Sequence, residues 1–366
     1  MEIRRTEEYT DYFGFDLGDG ESALAWLRAG SKTEPQLIEI RGRKNVLSAV
    51  GVHPARGVLI GEEACYAAGL DELYSRFKSR FLSEPEETGR VVRLFVSAVV
   101  SELAKDGRFQ DINRALFFVG CPSGWNREDR DRYQAVLKEA GLTNVQVISE
   151  SRAAFMYARE SGELKLSDEL TALPTLILDA GSSTTDFTYV ADLRERSLVL
   201  DFGEVRLGGG LIDRVLLAIN RRRSPQAEEL ARVFDRFPQY FTRCELEARK
   251  VKEMYFTNQL RGGTGDLRCE SSVKIYSGRE PIKLDLDASE EDMRSLLNQP
   301  LPELGGQTFL DAMKSALEGA RELLRGESVD AILLTGGASR MPFVGKLCAQ
   351  VFPDAAVMRG LEPEFA

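Results

Sequence analysis

The stretch LDAGSSTTDF, residues 178–187, places an aspartate at the end of an apolar run and continues into a turn of small and hydroxylated residues. The flanking runs Thr175–Asp179 and Asp186–Val190 have the character of short strands, so the stretch predicts a hairpin. Small residues allow backbone N–H groups to approach an anion closely, and Ser and Thr hydroxyls add donors. An acidic residue at a strand end can hold Mg²⁺ through water. The stretch therefore predicts a turn that binds a phosphate and its metal.

Two further stretches have the same strand-to-turn character. FDLGDGES, residues 15–22, places Asp16 before a Gly-rich turn, and LLTGGASRMP, residues 333–342, ends an apolar run at Gly336-Gly337. One such turn alone is a weak signal, because most Gly-rich turns only reverse the chain. The order of the three is typical of the superfamily of actin, the sugar kinases and the heat-shock ATPases. The sequence contains no GxxxxGK[ST] P-loop and no Rossmann fingerprint.

The composition limits the classes of function. The 366 residues are 43% hydrophobic and 29% charged, which is typical of a globular protein of two or three domains. The formal net charge of −10 argues against nucleic acid as a partner, because binding phosphates needs an excess of clustered Lys and Arg. The single histidine, His53, excludes a histidine metal cluster, and the five scattered cysteines form no CxxC pair. No apolar run is long enough to span a bilayer, and the charged first ten residues lack a signal-peptide core, so we expect no membrane partner and a cytoplasmic location.

Strand and helix patterns alternate along the chain, which favours an α/β fold. The patterns predict strands at Ala115–Gly120 and Val145–Ile148, a helical region over Ala227–Thr257 and a helix over Pro342–Val351. A weak internal repeat is centred near residue 170, because both halves open with a strand, an aspartate, a small-residue turn and a second strand. The sequence therefore predicts two lobes, 1–173 and 174–366, with a smaller subdomain at about 221–325 in the second.

Segments throughout the chain resemble the nucleotide-binding domain of the seventy-kilodalton heat-shock chaperones. Residues 16–20 and 179–186 resemble its two phosphate loops, and residues 336–342 resemble its adenosine motif. Shorter matching segments are 59–64, 77–81, 119–122, 148–154 and 207–213. The resemblance covers roughly residues 13–366, in order. It implies a duplicated two-lobe actin-like α/β fold whose cleft between the lobes binds ATP or ADP with Mg²⁺.

The resemblance also implies roles for individual residues. Lys78 and Glu150 would orient the attacking water and the γ-phosphate, and Thr184 would support the phosphate. The hydrated Mg²⁺ would be positioned by Asp16, Asp179 and Asp186. The residues implied to contact the nucleotide or its metal are Asp16, Gly18, Asp19, Gly20, Gly181, Ser182, Ser183, Asp186, Gly208, Gly209, Glu247, Lys250, Lys252, Gly336, Gly337 and Arg340. The helix at 247–253 matches the family in two registers, so the choice between Lys250 and Lys252 stays open.

Three of the matched segments depart from the family's pattern. Asp19-Gly20 stands where the family has a Thr-Thr pair, which places an anion beside a polyphosphate and predicts slow hydrolysis. Ser182-Ser183 replaces two glycines at the second phosphate loop. Ser151 replaces the proline that follows the matched glutamate.

The expected function is a slowly hydrolysing ATP-driven molecular switch, with nucleotide-driven lobe closure read by a protein partner or co-chaperone. The family's final helix and peptide-binding domain have no counterpart in these 366 residues, so we expect either a truncated chain or an ATPase module without a substrate-binding part. Two alternatives from the same superfamily are an actin-like filament-forming ATPase and a small-molecule kinase.

Overall fold

The computed structural model describes residues 9–109, 111–153, 156, 173–191, 199–204, 207–262, 267–276 and 280–359. The chain divides into two compact units, unit 1 with residues 1–161 and unit 2 with residues 162–364. The expected division after residue 173 and the subdomain at 221–325 stay predictions. In the part of the chain that is described, no helix combines the length and the apolar character needed to cross a membrane.

Unit 1 is built on a sheet with the strand order β3-β2-β1-β8-β9, in which β4 also pairs with β2. Strands β1 and β2 form an antiparallel hairpin, whereas β1, β8 and β9 run parallel. A smaller sheet has the order β6-β5-β7. The strands are β1 Asp11–Leu17, β2 Glu21–Arg28, β3 Gln36–Leu37, β4 Asn45–Leu47, β5 Ala49–His53, β6 Gly57–Ile60, β7 Glu72–Ser75, β8 Ala115–Cys121 and β9 Val145–Ser149, and the helices are α1 Glu62–Tyr66, α2 Pro85–Lys105 and α3 Arg127–Glu139.

Side chains alternate between the two faces of β1, and this alternation determines where Asp16 lies. Phe13, Phe15 and Leu17 point into the core, so Asp16 lies on the opposite face of the sheet. Helices pack their apolar faces against this core; Phe95, for example, is a core residue that α2 contributes. Because β1, β8 and β9 are parallel, their carboxyl ends meet at one edge, which is where ligands bind in open α/β sheets.

Unit 2 contains a five-stranded sheet with the order β12-β11-β10-β15-β16 and a separate hairpin of β13 and β14. In the larger sheet β10, β11 and β12 are antiparallel, and β10, β15 and β16 are parallel. The strands are β10 Thr175–Ala180, β11 Thr185–Val190, β12 Val199–Glu204, β13 Arg268–Ile275, β14 Ile282–Ser289, β15 Ala331–Thr335 and β16 Ala356–Arg359, and the helices are α4 Gly209–Arg223, α5 Ala227–Arg236, α6 Pro238–Leu260, α7 Glu290–Asn298, α8 Phe309–Leu323 and α9 Pro342–Val351. The five strands repeat the order and directions of the main path in unit 1.

The mixed α/β class predicted from the sequence is confirmed, as are the two predicted strands at 115–120 and 145–148 and the helix at 342–351. The predicted helical region over Ala227–Thr257 is confirmed and consists of two helices, α5 and α6. The break falls at Phe237, whose φ of −136° and ψ of 80° are not helical. The cause is Pro238, because a proline clashes with a helical residue before it and cannot donate to the preceding turn. The sequence also predicts a helix at Ser151–Ser161, and this segment lies largely outside the described residues.

Candidate functional site

In unit 1, a buried lysine lies at the carboxyl ends of the parallel strands β8 and β9. Lys78 begins the short 3-10 turn Lys78–Arg80, called here the Lys78 turn, and only 4% of the residue is exposed. Its amine donates to the carbonyl oxygen of Gly120 at 3.0 Å and forms an ion pair with Glu150, directly after β9. The ring of Tyr133, from α3, has its centroid 6.0 Å from the amine. Two of the predicted catalytic residues, Lys78 and Glu150, are therefore in direct contact.

Lys78, Glu150, Asp16 and Tyr133 interact electrostatically, and this group contains two carboxyl groups but only one amine. Burial alone lowers the pKa of Lys78, but Glu150, Tyr133 and Asp16 oppose this and raise the pKa above its usual range, so the amine stays charged. The pKa of Asp16 is raised chiefly because protein displaces water from the carboxyl group and also because Glu150 repels its charge, while Lys78 opposes the rise. Solvent reaches the exposed part of Asp16 and moderates this shift. Lys78 is thus paired with Glu150 and offsets only part of the charge of Asp16, an arrangement that a further cation would stabilise.

The turn between β1 and β2, residues 18–20, is called here the first turn. A Cβ atom on Gly18 would lie 2.3 Å from the carbonyl oxygen of Glu21, so only glycine fits the turn as it is folded. The hydroxyl of Ser48 donates to the carbonyl oxygen of Gly18 at 2.6 Å. The carboxylate of Asp19 accepts a hydrogen bond from the backbone N–H of Ser79 at 2.8 Å, which joins the first turn to the Lys78 turn.

In unit 2, Asp179 is the point at which distant segments meet. It pairs in register with Asp186 on β11 and with Thr335 on β15. Gly336, next in the chain, has a φ of +77°, and a Cβ atom there would lie 2.4 Å from a carboxylate oxygen of Asp179. Glycine is therefore required at residue 336 both by backbone conformation and by this close approach.

The turn between β10 and β11, residues 181–184, is called here the second turn, and it lies against the start of α4. The N–H of Gly209 donates to the carbonyl oxygen of Gly181 at 3.0 Å, and the N–H of Gly210 donates to that of Ser182 at 2.7 Å. A Cβ atom on Gly208 would lie 2.4 Å from the backbone carbon of Ser183. The glycines at 208–210 thus allow backbone to meet backbone, and the predicted residues Gly208 and Gly209 contact the second turn directly.

The structure distinguishes the two lysines of α6. Lys252 is buried, donates to the carbonyl oxygen of Gly209 at 3.1 Å and forms an ion pair with Asp213 at 2.6 Å. Lys250 is exposed and pairs with Glu247 at 2.6 Å. Glu247 also accepts from a serine hydroxyl of β13, so the Glu247–Lys250 pair lies beside β13. Of the two alternatives, Lys252 is the lysine that contacts the start of α4.

The remaining predicted residues are placed as follows. Arg340 is exposed at the end of the 3-10 turn Gly337–Arg340, whose first residue is also exposed. Among the described residues, no group of three or more His, Cys, Asp or Glu side chains could hold a metal ion directly. The three predicted metal residues, Asp16, Asp179 and Asp186, are hard oxygen donors and suit a Mg²⁺ ion that keeps most of its water.

Several residues of these clusters were not among the predicted site residues, and they include Ser79, Tyr133, Asp213 and Thr335. The hydroxyls of Tyr133 and Thr335 are buried, and within the described part of the chain neither has a hydrogen-bond partner. Burial raises the pKa of the Tyr133 hydroxyl well above its usual range, so it remains a neutral donor. Asp213 could have been found from the matched segment 207–213, whereas the position of Tyr133 depends on how α3 packs.

Comparison with curated proteins identifies chaperones as relatives. The chain is 24% identical to the chaperone protein DnaK of Mycoplasmoides gallisepticum over 292 residues, which is 77% of this chain and 44% of that protein. It is 21% identical over 378 residues to the DnaK of Thermosipho africanus, covering 96% of this chain and 56% of that protein. It is 26% identical over 304 residues to the heat shock cognate HSP70 protein of Trypanosoma brucei brucei, covering 76% of this chain and 39% of that protein.

No family model matches the chain. The chain spans about half the length of the curated relatives it matches. Despite the low identity, these relatives confirm the resemblance that the motifs predicted.

Proposed function

We propose that this chain, a relative of the seventy-kilodalton heat-shock chaperones, binds ATP and ADP with Mg²⁺ and acts as a slowly hydrolysing molecular switch. One observation in the structure carries the proposal. Two glycine segments that lie far from the second turn in sequence pack closely at it: the glycines at 208–210 lie against its backbone at the start of α4, and Gly336 approaches the carboxylate of Asp179, which precedes the turn. A plain structural turn does not require two distant glycine segments to approach it and the preceding carboxylate so closely.

The residues of unit 2 are suited to phosphate and metal. The second turn presents small and hydroxylated residues, which bind phosphate oxygens through N–H and O–H groups. Asp179 and Asp186, adjacent on paired strands, would hold water molecules of Mg²⁺. When bound, Mg²⁺ neutralises phosphate charge. The charge of Lys252, held at the start of α4, keeps the backbone of Gly209 in place beneath the second turn.

The residues of unit 1 are suited to the hydrolytic step. Lys78 stays charged and is held by Glu150 and Gly120, so it can stabilise charge that develops on a transferred phosphoryl group. Glu150 can accept a hydrogen bond from an attacking water. The sequence predicts slow turnover from the carboxylate of Asp19 beside phosphate, but in the structure this carboxylate accepts from the N–H of Ser79. We therefore attribute slow turnover to Ser182 and Ser183, whose side chains occupy positions where the family has glycines and the backbone would otherwise approach phosphate.

Unit 1 carries the residues proposed for the hydrolytic step, and unit 2 carries the turn proposed for phosphate and metal. We propose that nucleotide binding drives closure of the two units, and that a protein partner or co-chaperone responds to this closure. No described feature favours the alternatives, a filament subunit or a small-molecule kinase. Sedimentation of the protein in Mg·ATP would reveal filaments directly.

Thermal unfolding with and without nucleotide tests the proposal. A ligand that binds only the folded state stabilises it by about 2.7 kcal/mol at a hundred times its dissociation constant. We expect Mg·ATP and Mg·ADP, but not Mg·GTP, to raise the melting temperature. Gly208→Ala should greatly reduce this gain, because its methyl group collides with the second turn.

The matched control is Gly319→Ala, in the interior of α8, where a Cβ atom meets nothing within 4 Å. This variant should keep the full nucleotide effect and equal or exceed the unmodified protein in stability. Absence of any shift in the unmodified protein at millimolar Mg·ATP and Mg·ADP would refute the proposed function.

A further inference from the structure

One hydrogen bond joins the first turn to the Lys78 turn, across 60 residues of sequence. The N–H of Ser79 lies in the first turn of a 3-10 helix, where backbone donors have no acceptor within the helix. The N–H of Arg80 bonds to Phe77 and that of Phe81 bonds to Lys78, and these bonds close the turn. The N–H of Ser79 instead donates to the carboxylate of Asp19 at 2.8 Å.

This bond complements the contacts of the lysine side chain. Gly120 and Glu150 hold the amine of Lys78, whereas Asp19 holds the backbone of the very next residue. The bond to a carboxylate is charge-assisted and roughly twice as strong as one between neutral groups. The side-chain amine of Lys78 and the backbone next to it are therefore both held in place.

We propose that Asp19 is a positioning residue for Lys78, an inference that rests on the proposed nucleotide-binding function. Its carboxylate keeps the Lys78 turn in register with the first turn, so that the amine reaches a phosphate bound there. The family's threonine at residue 19 cannot replace it, because a threonine hydroxyl lies one bond closer to the backbone than an aspartate oxygen. The sequence predicts that the Asp19 carboxylate repels phosphate. In the proposed role the same carboxylate holds the backbone of the Lys78 turn.

The first test needs no nucleotide. In Asp19→Ala, the backbone amides of residues 77–81 should exchange with deuterium about tenfold faster, since the Ser79 N–H loses its acceptor. Reaction of Lys78 with an amine-acylating reagent should rise relative to the exposed Lys44. Asp19→Asn should restore both values most of the way, because an amide oxygen also accepts. Asp71→Asn, which removes an exposed carboxylate elsewhere in unit 1, is the matched control and should change neither.

The second test measures ATP turnover at saturating Mg²⁺. Asp19→Ala and Asp19→Thr should lower kcat about tenfold and change KM less than about threefold, because they displace Lys78 and remove a carboxylate that binds the N–H of Ser79 rather than, as the resemblance implies, the nucleotide. Asp19→Asn should keep most of the activity. Unchanged amide exchange and Lys78 labelling in Asp19→Ala would overturn the inference, and so would faster turnover in Asp19→Thr. If the unmodified protein binds no nucleotide, the proposed function fails, while the exchange and labelling results still decide whether Asp19 holds the Lys78 turn.

Discussion

At the scale of single residues, each unit carries a buried lysine with the same kind of partners. Lys78 meets Glu150 and a glycine carbonyl oxygen, and Lys252 meets Asp213 and a glycine carbonyl oxygen. A buried charge is very costly unless it is paired and hydrogen-bonded. Each lysine therefore holds one glycine segment in place, that at Gly120 in unit 1 and that at Gly209 in unit 2.

The carboxylates of unit 2 give a prediction at this scale. We expect Asp179→Asn and Asp186→Asn to weaken binding of Mg·ATP about tenfold or more, because the neutral amide loses its attraction for the metal while keeping the shape of the side chain. Both variants should bind ATP with much less dependence on Mg²⁺ than the unmodified protein. Titration calorimetry with and without Mg²⁺ measures this.

Asp285→Asn is the control for that experiment, because it removes an exposed carboxylate from β14. It should bind Mg·ATP as the unmodified protein does. Normal Mg²⁺-dependent binding by both Asp179→Asn and Asp186→Asn would mean that the second turn does not face the metal.

At the scale of elements, the start of α7 shows how a helix is joined to its unit. Ser289 caps the helix by accepting from the N–H of Asp292, and the Asp292 carboxylate bonds back to Ser289, which is a capping box. Asp292 is almost fully buried and is also paired with Arg223, in the last turn of α4. One carboxylate thus closes the end of one helix and ties it to another.

This arrangement predicts a pH-dependent contribution to stability. The hydrogen bond from Arg223, aided by Ser289, lowers the pKa of Asp292 despite its burial. The stabilisation is therefore fully present above the unfolded-state pKa of about 3.9 and is lost as the pH falls through the lower folded-state value. We expect Asp292→Asn to reduce the free energy of unfolding by about 1–2 kcal/mol at neutral pH.

Urea unfolding at a series of pH values measures this difference. The two proteins should converge in stability as the pH falls below the folded-state pKa, while Asp285→Asn should match the unmodified protein throughout. A difference that persists unchanged in acid would show that Asp292 does not act through its charge.

At the scale of the whole molecule, the two units carry sheets with the same strand order and directions. In each unit the penultimate residue of the first hairpin strand is an aspartate, Asp16 in unit 1 and Asp179 in unit 2. If one nucleotide uses both units, Mg·ATP should slow amide exchange at the Lys78 turn and at the second turn together, with the same concentration dependence. Peptide-resolved exchange measures both in one titration, and the hairpin of β13 and β14 provides an internal control. Protection confined to one unit would contradict a shared nucleotide.

The sequence by itself determined the α/β class, the two acidic strand ends at Asp16 and Asp179 and the Gly-rich turns. These features are local, because alternation, strand ends and glycine turns depend on residues a few positions apart. The helical character of Ala227–Thr257 was also readable from the sequence, and the proline at 238 is the local signal for the division into two helices.

Only the tertiary structure decided which side chains meet. It placed Lys252 rather than Lys250 at the start of α4, because the burial of one face of α6 selects between two lysines that the sequence treats alike. It turned the carboxylate of Asp19 toward Ser79, 60 residues away, and brought Glu150 to Lys78, 72 residues away. Contacts over such separations arise from the pairing of parallel strands and the packing of helices on them, and no local pattern of residues specifies them.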